Sequence, residues 1–143
     1  MSVELPFAPV DDIIRREAGS LRVGSGATEE LARWIQSHGA ALAVDAAKRA
    51  TVENRKTIMA ADFGFGAIPD PESASLPIAP VDRIARIDVD DRYRIGKDAR
   101  VALAVELEDA AAEVAAGAAT LAEHAGRRTV QAEDIRTYLE LVE

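Results

Sequence analysis

Apolar residues recur every three or four positions along two long stretches of the chain. In the first stretch these positions are Leu31, Ile35, Leu42, Ala46 and Ala50, and in the second they are Leu103, Leu107, Ala111, Val114, Ala118 and Leu121. This spacing is typical of amphipathic helices. It predicts one long helix from about Ser25 to Glu53 and another from about Lys97 to His124. Each would span roughly 40 Å at 1.5 Å per residue.

A short helix is expected before each long one. Pro9 and Pro80 suit a first helical turn, and the two short helices are predicted to end near Ala18 and Ile87. Glycines or a stretch of aspartates then interrupt the chain before the long helices.

A third, short helix is expected after each long one. Asn54 and Gly126 tolerate the left-handed conformation that ends many helices. Thr57 and Thr129 are then expected to cap the third helices. The third helix is predicted to be weak in the first half of the chain, because glycines interrupt it there.

The two halves of the chain repeat one another. Residues 5–13, LPFAPVDDI, return as residues 76–84, LPIAPVDRI, and residues 55–62, RKTIMAAD, return as residues 127–134, RRTVQAED. Such ordered blocks indicate a duplication. We therefore predict a first fold over residues 1–66, a proline-containing linker over residues 67–75 and a second fold over residues 76–143.

Neither repeat is large enough to bury its own apolar stripe. A unit of about 70 residues is marginally stable by itself. The two long helices are therefore expected to pack on each other as an intramolecular pair, which gives an all-α fold with pseudo-twofold symmetry. An ordinary six-helix bundle is the alternative.

The amino-acid composition excludes several classes of function, and the acidic net charge is unusual for a nucleic-acid-binding protein. The 143 residues carry a net charge of −8, with three lysines, fourteen arginines and no cysteine. The absence of cysteine excludes disulfides and thiolate chemistry, and no combination of residues suggests an enzyme, a cofactor or a metal site. No apolar stretch is long enough to cross a bilayer. An acidic, lysine-poor chain is typical of cytoplasmic proteins from organisms that accumulate salt.

The motifs resemble those of a known family. Each repeat has Leu-Pro-x-Ala-Pro-Val, a loop ending Arg-Val-Gly or Arg-Ile-Gly, and a long helix. Arg-Lys-Thr-Ile-x-Ala-x-Asp then follows in the first repeat and Arg-Arg-Thr-Val-x-Ala-x-Asp in the second. This order of motifs resembles the archaeal histones. The acidic composition is similar to that of haloarchaeal histones with two folds in one chain. The resemblance implies two histone folds (each short helix, long helix, short helix) paired as a handshake. It also implies a cytoplasmic, nucleoid-associated protein that binds, bends or compacts double-stranded DNA without marked sequence specificity.

The resemblance implies particular DNA contacts from loop arginines, loop hydroxyls and basic residues of the first helices. The candidates are Arg15, Arg16, Arg22, Lys56, Thr57, Arg83, Arg86, Arg94, Arg128 and Thr129. Arginine side chains in a minor groove and helix ends against phosphates bind DNA without reading bases. Asp12 stands where the family has a basic residue, so one contact is expected to be lost.

Asp62 and Asp134 suggest a structural role for two further arginines, Arg55 and Arg127. Arg55 and Asp62, and likewise Arg127 and Asp134, are seven residues apart in both repeats. The family uses this pair structurally, and we expect these two arginines mainly to brace the loops.

Self-association is the third expectation. The resemblance implies an oligomer interface formed by Leu121, His124 and Asp134, which would join two chains into a tetramer-like unit. The first repeat has Arg49 and Val52 in place of the leucine and histidine, so association there is expected to be weaker.

A different function remains open. The net charge and the pair Asp11 and Asp12 also fit a histone-fold interaction module or transcription regulator with little or no DNA wrapping, which would bind other transcription or chromatin proteins. Because salt weakens phosphate binding steeply, DNA binding is expected to be weak and salt-dependent.

Overall fold

Each repeat contains a short helix, a long helix and a second short helical segment. The computed structural model describes residues 2–67 and 69–143. In the first repeat, helix α1 is Phe7–Ala18, helix α2 is Ser25–Val52, and a single 3-10 turn, Ala60–Phe63, follows. In the second repeat, helix α3 is Ile78–Ala85, helix α4 is Lys97–His124 and helix α5 is Ala132–Val142.

The ends of the helices mostly follow the sequence pattern. Asn54 and Gly126 adopt positive φ angles of 59° and 73° just after the long helices, as expected for residues that end helices in the left-handed conformation. Helix α3 ends at Ala85, two residues earlier than predicted. The third helix of the first repeat is reduced to one turn, which ends at Gly64 with φ of 90°.

The prediction that Thr57 and Thr129 cap the third helical segments is wrong. Both residues lie in two-residue strands, β2 (Thr57–Ile58) and β4 (Thr129–Val130). The N-cap positions belong to Met59 and Gln131. Pairing with the other repeat holds both threonines in extended conformation, and this displaces each helix start by two residues.

The chain divides into two compact units, and each unit contains segments of both repeats. Unit 1 comprises Met1–Leu5 and Gln36–Glu108, and unit 2 comprises Pro6–Ile35 and Asp109–Glu143. Each long helix therefore contributes one half to each unit. This exchange of segments is the handshake pairing of the two repeats within one chain.

Unit 1 is built on the second half of α2, helix α3 and the first half of α4. Its fully buried side chains include Ile58, Ile84, Leu103 and Leu107. A Cβ at Gly39 would lie 2.8 Å from Ile84 Cγ2 and 3.0 Å from Leu107 Cδ1. The backbone of α2 can approach the other two helices this closely only because residue 39 has no side chain.

Unit 2 is built on α1, the first half of α2, the second half of α4 and α5. Its fully buried apolar residues include Val10, Ile13, Ile14, Leu31, Ile35, Ala111, Ala115, Ala118, Val130 and Ile135. Alanines on α4 occupy little volume, so the other helices pack close to its backbone. Of the α4 face that the sequence pattern marked as apolar, Ala111, Val114 and Ala118 are buried in unit 2, and Leu103 and Leu107 are buried in unit 1.

The predicted linker carries its own local structure. Pro71–Ser73 forms a 3-10 turn, and the Asp70 side chain accepts a hydrogen bond from Glu72 N at 2.9 Å. Glu108 Oε1 then accepts hydrogen bonds from Ser75 N at 2.7 Å and from Leu76 N at 3.2 Å. The end of this segment is therefore fixed to helix α4 within unit 1.

Candidate nucleic-acid interface

In unit 2, a loop of the first repeat lies against a loop of the second repeat. Strand β1 (Arg22–Val23) pairs in parallel with β4, and the register sets Arg22 opposite Thr129. Arg22 N donates to Arg128 O at 2.8 Å, and Gly24 N donates to Val130 O at 2.9 Å. We call residues 19–24 and 125–131 the unit 2 loop pair.

Unit 1 repeats this arrangement with the roles of the two repeats exchanged. Strand β3 (Arg94–Ile95) pairs in parallel with β2, and the register sets Arg94 opposite Thr57. Arg94 N donates to Lys56 O at 2.7 Å. We call residues 53–59 and 86–96 the unit 1 loop pair.

Four basic side chains of the two loop pairs are available to an external partner. They belong to Arg22, Lys56, Arg94 and Arg128, and all four are exposed. Within residues 2–67 and 69–143, none of them forms an ion pair or a side-chain hydrogen bond. Thr57 and Thr129, next to them on the paired strands, are half-buried. Each loop pair therefore presents unneutralised positive charge beside a threonine hydroxyl.

A second set of arginines holds the loops in shape. Arg55 donates two hydrogen bonds of 2.9 Å to the carboxylate of Asp62, which is almost fully buried. Arg127 makes the equivalent pair with Asp134, with one bond of 2.7 Å. Each carboxylate also accepts a bond of 2.8 Å from a backbone N–H, that of Met59 or of Gln131. Both Nη1 and Nη2 of each arginine are therefore engaged within the protein, and these two arginines have a structural role.

The pKa values of the two carboxyls reflect this pairing. The hydrogen bond from Arg55 lowers the pKa of Asp62 below its ordinary value, although burial opposes the shift. Burial also acts to raise the pKa of Asp134, but hydrogen bonds from Arg127 and the backbone of Gln131 outweigh it and the net shift is downward. Both carboxylates therefore remain charged in the folded chain at neutral pH.

Basic residues on the short helices are mostly paired. Arg15 contacts Asp11 at 2.6 Å, Arg83 contacts Glu4 at 2.8 Å, and Arg86 contacts Asp82 at 3.2 Å. Arg16 is exposed on α1. Arg15, Arg83 and Arg86 would thus have to exchange an acidic partner for a phosphate.

Two contacts of the unit 1 loop pair were not anticipated from the sequence. The Tyr93 hydroxyl is hydrogen-bonded to the Thr51 hydroxyl on α2. Asp98 Oδ2 accepts a hydrogen bond from Ala60 N at 3.2 Å. Comparison of the repeats offered a signal for Asp98, because Gly26 occupies the equivalent position of the first repeat. Nothing in the local pattern points to Tyr93.

The candidate interface residues for self-association lie in unit 2. Leu121 is half-buried and His124 is exposed at the end of α4. Leu141 and Val142, on α5, are 70% and 57% exposed. Asp134, in contrast, is buried and engaged with Arg127. In unit 1, Val52 at the end of α2 is 80% exposed and Arg49 is hydrogen-bonded to Asp62 O at 2.7 Å.

The described residues contain no group of three or more acidic, histidine or cysteine side chains that could hold a metal ion. Nor does any helix in them have the length and apolarity needed to span a membrane.

The sequence profile of one family covers most of the chain. The profile of the histone-like transcription factor (CBF/NF-Y) and archaeal histone family matches twice, over residues 3–64 and 74–139. The chain belongs to this family. Both histone folds of the predicted tandem are thereby confirmed, as is the resemblance to archaeal histones. The histone fold explains why each unit pairs a first loop of one repeat with a second loop of the other.

Known histones and solved structures agree with this assignment. The archaeal histone HAN1 of Thermococcus zilligii is 51% identical over 63 residues, which are 44% of this chain and 91% of that protein. The crystal structure of the histone from Methanopyrus kandleri matches with a TM-score of 0.72 and 25% identity, over 94% of this chain and 92% of that one. The crystal structure of a Thermus thermophilus protein matches with a TM-score of 0.72 over 98% of this chain and 99% of that one. At 16% identity it supports the fold alone.

The histone-fold doublet is a histone-like chromatin protein. Its family is a structural, DNA-packaging one that is not known for enzymes.

Proposed function

We propose that this histone-fold doublet binds double-stranded DNA without marked sequence specificity and bends or compacts it. The observation that carries the proposal is the register of the two parallel strand pairs. Each register sets an exposed loop arginine opposite a threonine of the other repeat, Arg22 opposite Thr129 and Arg94 opposite Thr57. Two separate stretches of sequence thus converge on one small cationic surface in each unit.

The chemistry of these surfaces suits the DNA backbone rather than the bases. Arginine can enter a minor groove, while backbone N–H groups and hydroxyls bind phosphate oxygens. Arg22, Lys56, Arg94 and Arg128 are proposed as the principal contacts, with Thr57 and Thr129 beside them. Arg15, Arg16, Arg83 and Arg86 are proposed as auxiliary contacts, because three of them must first leave an acidic partner.

The net charge sets the strength of binding. The affinity of a protein for duplex DNA falls with a log–log slope of roughly −0.9 for each phosphate that it contacts. A chain with net charge −8 and four free loop cations is therefore a weak, salt-sensitive binder. In molar salt the Debye length is about 3 Å, so repulsion between DNA and the acidic surface is also weak. The acidic composition fits the salt-rich cytoplasm of a halophilic archaeon, where the protein would be associated with the nucleoid.

Two chains are proposed to associate through unit 2, around Leu121 and His124. The apolar side chains of Leu141 and Val142 are exposed in the same unit, and exposed apolar clusters of this kind favour association. Asp134 contributes by holding Arg127 and the start of α5.

A second function has its own supporting observation. The family also contains histone-like transcription factors, and Asp11 and Asp12, in the second turn of α1, add negative charge to the helix that carries Arg15 and Arg16. A protein-interaction module or transcription regulator with little DNA wrapping is the alternative that these features favour.

Fluorescence anisotropy with a 30-base-pair duplex of random sequence distinguishes the two functions. The double variant Arg22→Ala/Arg94→Ala is expected to bind several duplexes of different sequence about equally less well than the wild type. The matched control is Arg33→Ala/Lys48→Ala, which removes the same charge from exposed positions along α2 and should retain most of the affinity.

Folding is followed by circular dichroism at every salt concentration. Absence of DNA binding by the folded wild type at all salt concentrations would overturn the DNA-binding proposal and leave the interaction module. A loss of affinity confined to one duplex sequence would contradict the proposed backbone contacts.

A further inference from the structure

The two loop pairs share a backbone arrangement but differ in charge. The unit 2 loop pair contains three basic residues and no acidic one, whereas the unit 1 loop pair contains five basic and four acidic residues. Three of these acids, Asp88, Asp90 and Asp91, lie in the segment between α3 and β3. The equivalent segment between α1 and β1 has only three residues, 19–21, and none of them is charged.

The acidic segment exists because α3 ends early. Helix α1 has 12 residues and α3 has 8, so residues that are helical in the first repeat are in a loop in the second. We call residues 86–93 the acidic loop. Within it, Asp88 and Asp91 are exposed and form no ion pair with any other residue of the described chain.

The acidic loop is held in a fixed shape next to Arg94. Asp90 Oδ1 accepts a hydrogen bond from Arg92 N at 2.9 Å, and Asp90 O accepts one from Tyr93 N at 3.1 Å. Tyr93 is hydrogen-bonded to Thr51, and the Arg92 guanidinium lies 5.3 Å from the centre of the Tyr93 ring. The backbone of residues 90–93 is therefore tied to α2, which keeps Asp91 close to Arg94 in the folded chain.

We propose that the acidic loop makes the unit 1 loop pair the weaker of two unequal DNA-binding sites. Rising salt should reduce the difference in DNA affinity between the two loop pairs. The proposal rests on the DNA-binding function proposed above. Asp91 is three residues from Arg94, so their Cα atoms are at most about 10 Å apart. A DNA phosphate bound at Arg94 would lie at about this distance from the Asp91 carboxylate. Without screening by salt, repulsion between two negative charges about 10 Å apart in water lowers the binding constant by about twofold. At 0.1 M salt the Debye length is also about 10 Å, and at 1 M it is about 3 Å.

Unit 2 has acidic groups of its own, but they lie outside its loop pair. Asp11 is paired with Arg15, and Asp12 acts electrostatically on the same arginine. Glu133 contacts Arg127 at 3.7 Å. In the six residues before Arg22 there is one acid, the exposed Glu17, whereas the six residues before Arg94 include Asp88, Asp90 and Asp91. Arg22 therefore faces DNA with less opposing charge than Arg94 does.

The test neutralises the loop without changing its shape. The variant Asp88→Asn/Asp91→Asn leaves the Asp90 turn intact, and Asp109→Asn/Glu113→Gln is the control with the same change in charge at exposed positions in the middle of α4. With a 30-base-pair duplex at 0.01 M KCl, where the Debye length is about 30 Å, the loop variant should bind about two- to threefold more tightly than the control. At 1 M KCl the two variants should bind equally. Equal affinities of the loop and control variants at 0.01 M would overturn the proposal.

A second comparison assigns the effect to its site. The double substitution Lys56→Ala/Arg94→Ala should weaken DNA binding more in the Asp88→Asn/Asp91→Asn background than in the wild type, because the cations then meet less competition. Arg22→Ala/Arg128→Ala should cost the same in both backgrounds. If the variants bind DNA but the cost of Lys56→Ala/Arg94→Ala is the same in both backgrounds, only the proposed inequality of the two sites is wrong. If no folded variant binds DNA, the proposed DNA-binding function is wrong as well.

Discussion

Gln36 and Glu108 occupy equivalent positions of the two repeats, and each fixes the segment that precedes a short helix. Gln36 Oε1 accepts a hydrogen bond from Glu4 N at 2.7 Å, and Gln36 Nε2 donates to Ser2 O at 2.9 Å. Glu108 Oε1 accepts from Ser75 N at 2.7 Å. Both side chains are buried near the middle of a long helix. Each repeat thus uses one polar side chain on its long helix to fix the segment that precedes its first helix.

The substitution Glu108→Ala is expected to destabilise the protein. It leaves the N–H groups of Ser75 and Leu76 without their acceptor, and such a loss costs about 1–3 kcal/mol when the group stays buried. Urea unfolding measures the free energy of unfolding. Glu108→Gln keeps an oxygen acceptor and should lose less, while Glu113→Ala, exposed on the same helix, should change little. Equal stability of the wild type and Glu108→Ala would show that the contact does not position the linker.

Acid should weaken the fold through Asp62 and Asp134. The folded-state pKa of each carboxyl lies below its unfolded value, which is about 3.9 for an aspartate. The two ion pairs therefore stabilise the fold fully above about pH 4, and this stabilisation is lost as the pH falls through the folded-state values. Melting temperatures measured from pH 7 down to pH 2 should show the decline.

The variant Asp62→Asn/Asp134→Asn isolates this contribution. At pH 7 it should be less stable by about 1–3 kcal/mol for each site, and its melting temperature should fall less between pH 4 and pH 2 than that of the wild type. Asp109→Asn, which changes an exposed carboxyl, should keep the wild-type pH dependence. A parallel decline in all three proteins would mean that other carboxylates account for acid unfolding.

The local sequence pattern was sufficient to predict the long helices. It was not sufficient to predict the conformation of the loops where the two repeats pair. The bounds of α4 follow from its apolar spacing, because this helix of 28 residues buries one stripe along most of its length, from Leu103 to Ala118. The extended conformation of Thr57 and Thr129 comes instead from partners in the other repeat, Arg94 and Arg22. Contacts between distant segments override the local preference of threonine for a helix cap.

The motifs mark the basic residues of the candidate site, but they do not show which of these residues lack an acidic partner within the chain. Arg15 and Arg22 are both arginines near the first loop, yet Arg15 is paired with Asp11 while Arg22 has no ionic partner in the described ranges, 2–67 and 69–143. Which arginine has a carboxylate within reach depends on side-chain geometry that spacing alone does not encode. The same holds for Tyr93, whose partner Thr51 is 42 residues away.

Substitution of His124 by alanine should reduce self-association. His124 is exposed at the end of α4, and the proposed interface around it includes Leu121. Sedimentation velocity of His124→Ala is expected to show single chains at concentrations where the wild type forms two-chain particles. Glu123→Ala, at the neighbouring exposed position, and Val52→Ala, at the equivalent end of α2, should both retain the wild-type mass. Loss of association in Val52→Ala but not in His124→Ala would move the interface to unit 1.

Gly117 provides a test in which helix propensity and packing predict opposite signs. Glycine in the middle of a helix is less favourable than alanine by about 1 kcal/mol, so propensity alone predicts that Gly117→Ala stabilises α4. A Cβ at this position, however, would overlap Cε1 and Cδ1 of the Tyr138 ring. Overpacking of this kind costs about 1–3 kcal/mol or more, and we expect it to prevail.

The sign should reverse when the tyrosine ring is removed. Gly117→Ala should lower the free energy of unfolding in the wild type, but raise it by about 1 kcal/mol in the Tyr138→Ala background, where the added methyl group meets no ring. Urea unfolding of the four proteins gives both differences. Stabilisation by Gly117→Ala in both backgrounds would mean that α5 does not pack against α4 at this point. The short third helix of the second repeat would then lack its contact with the long one.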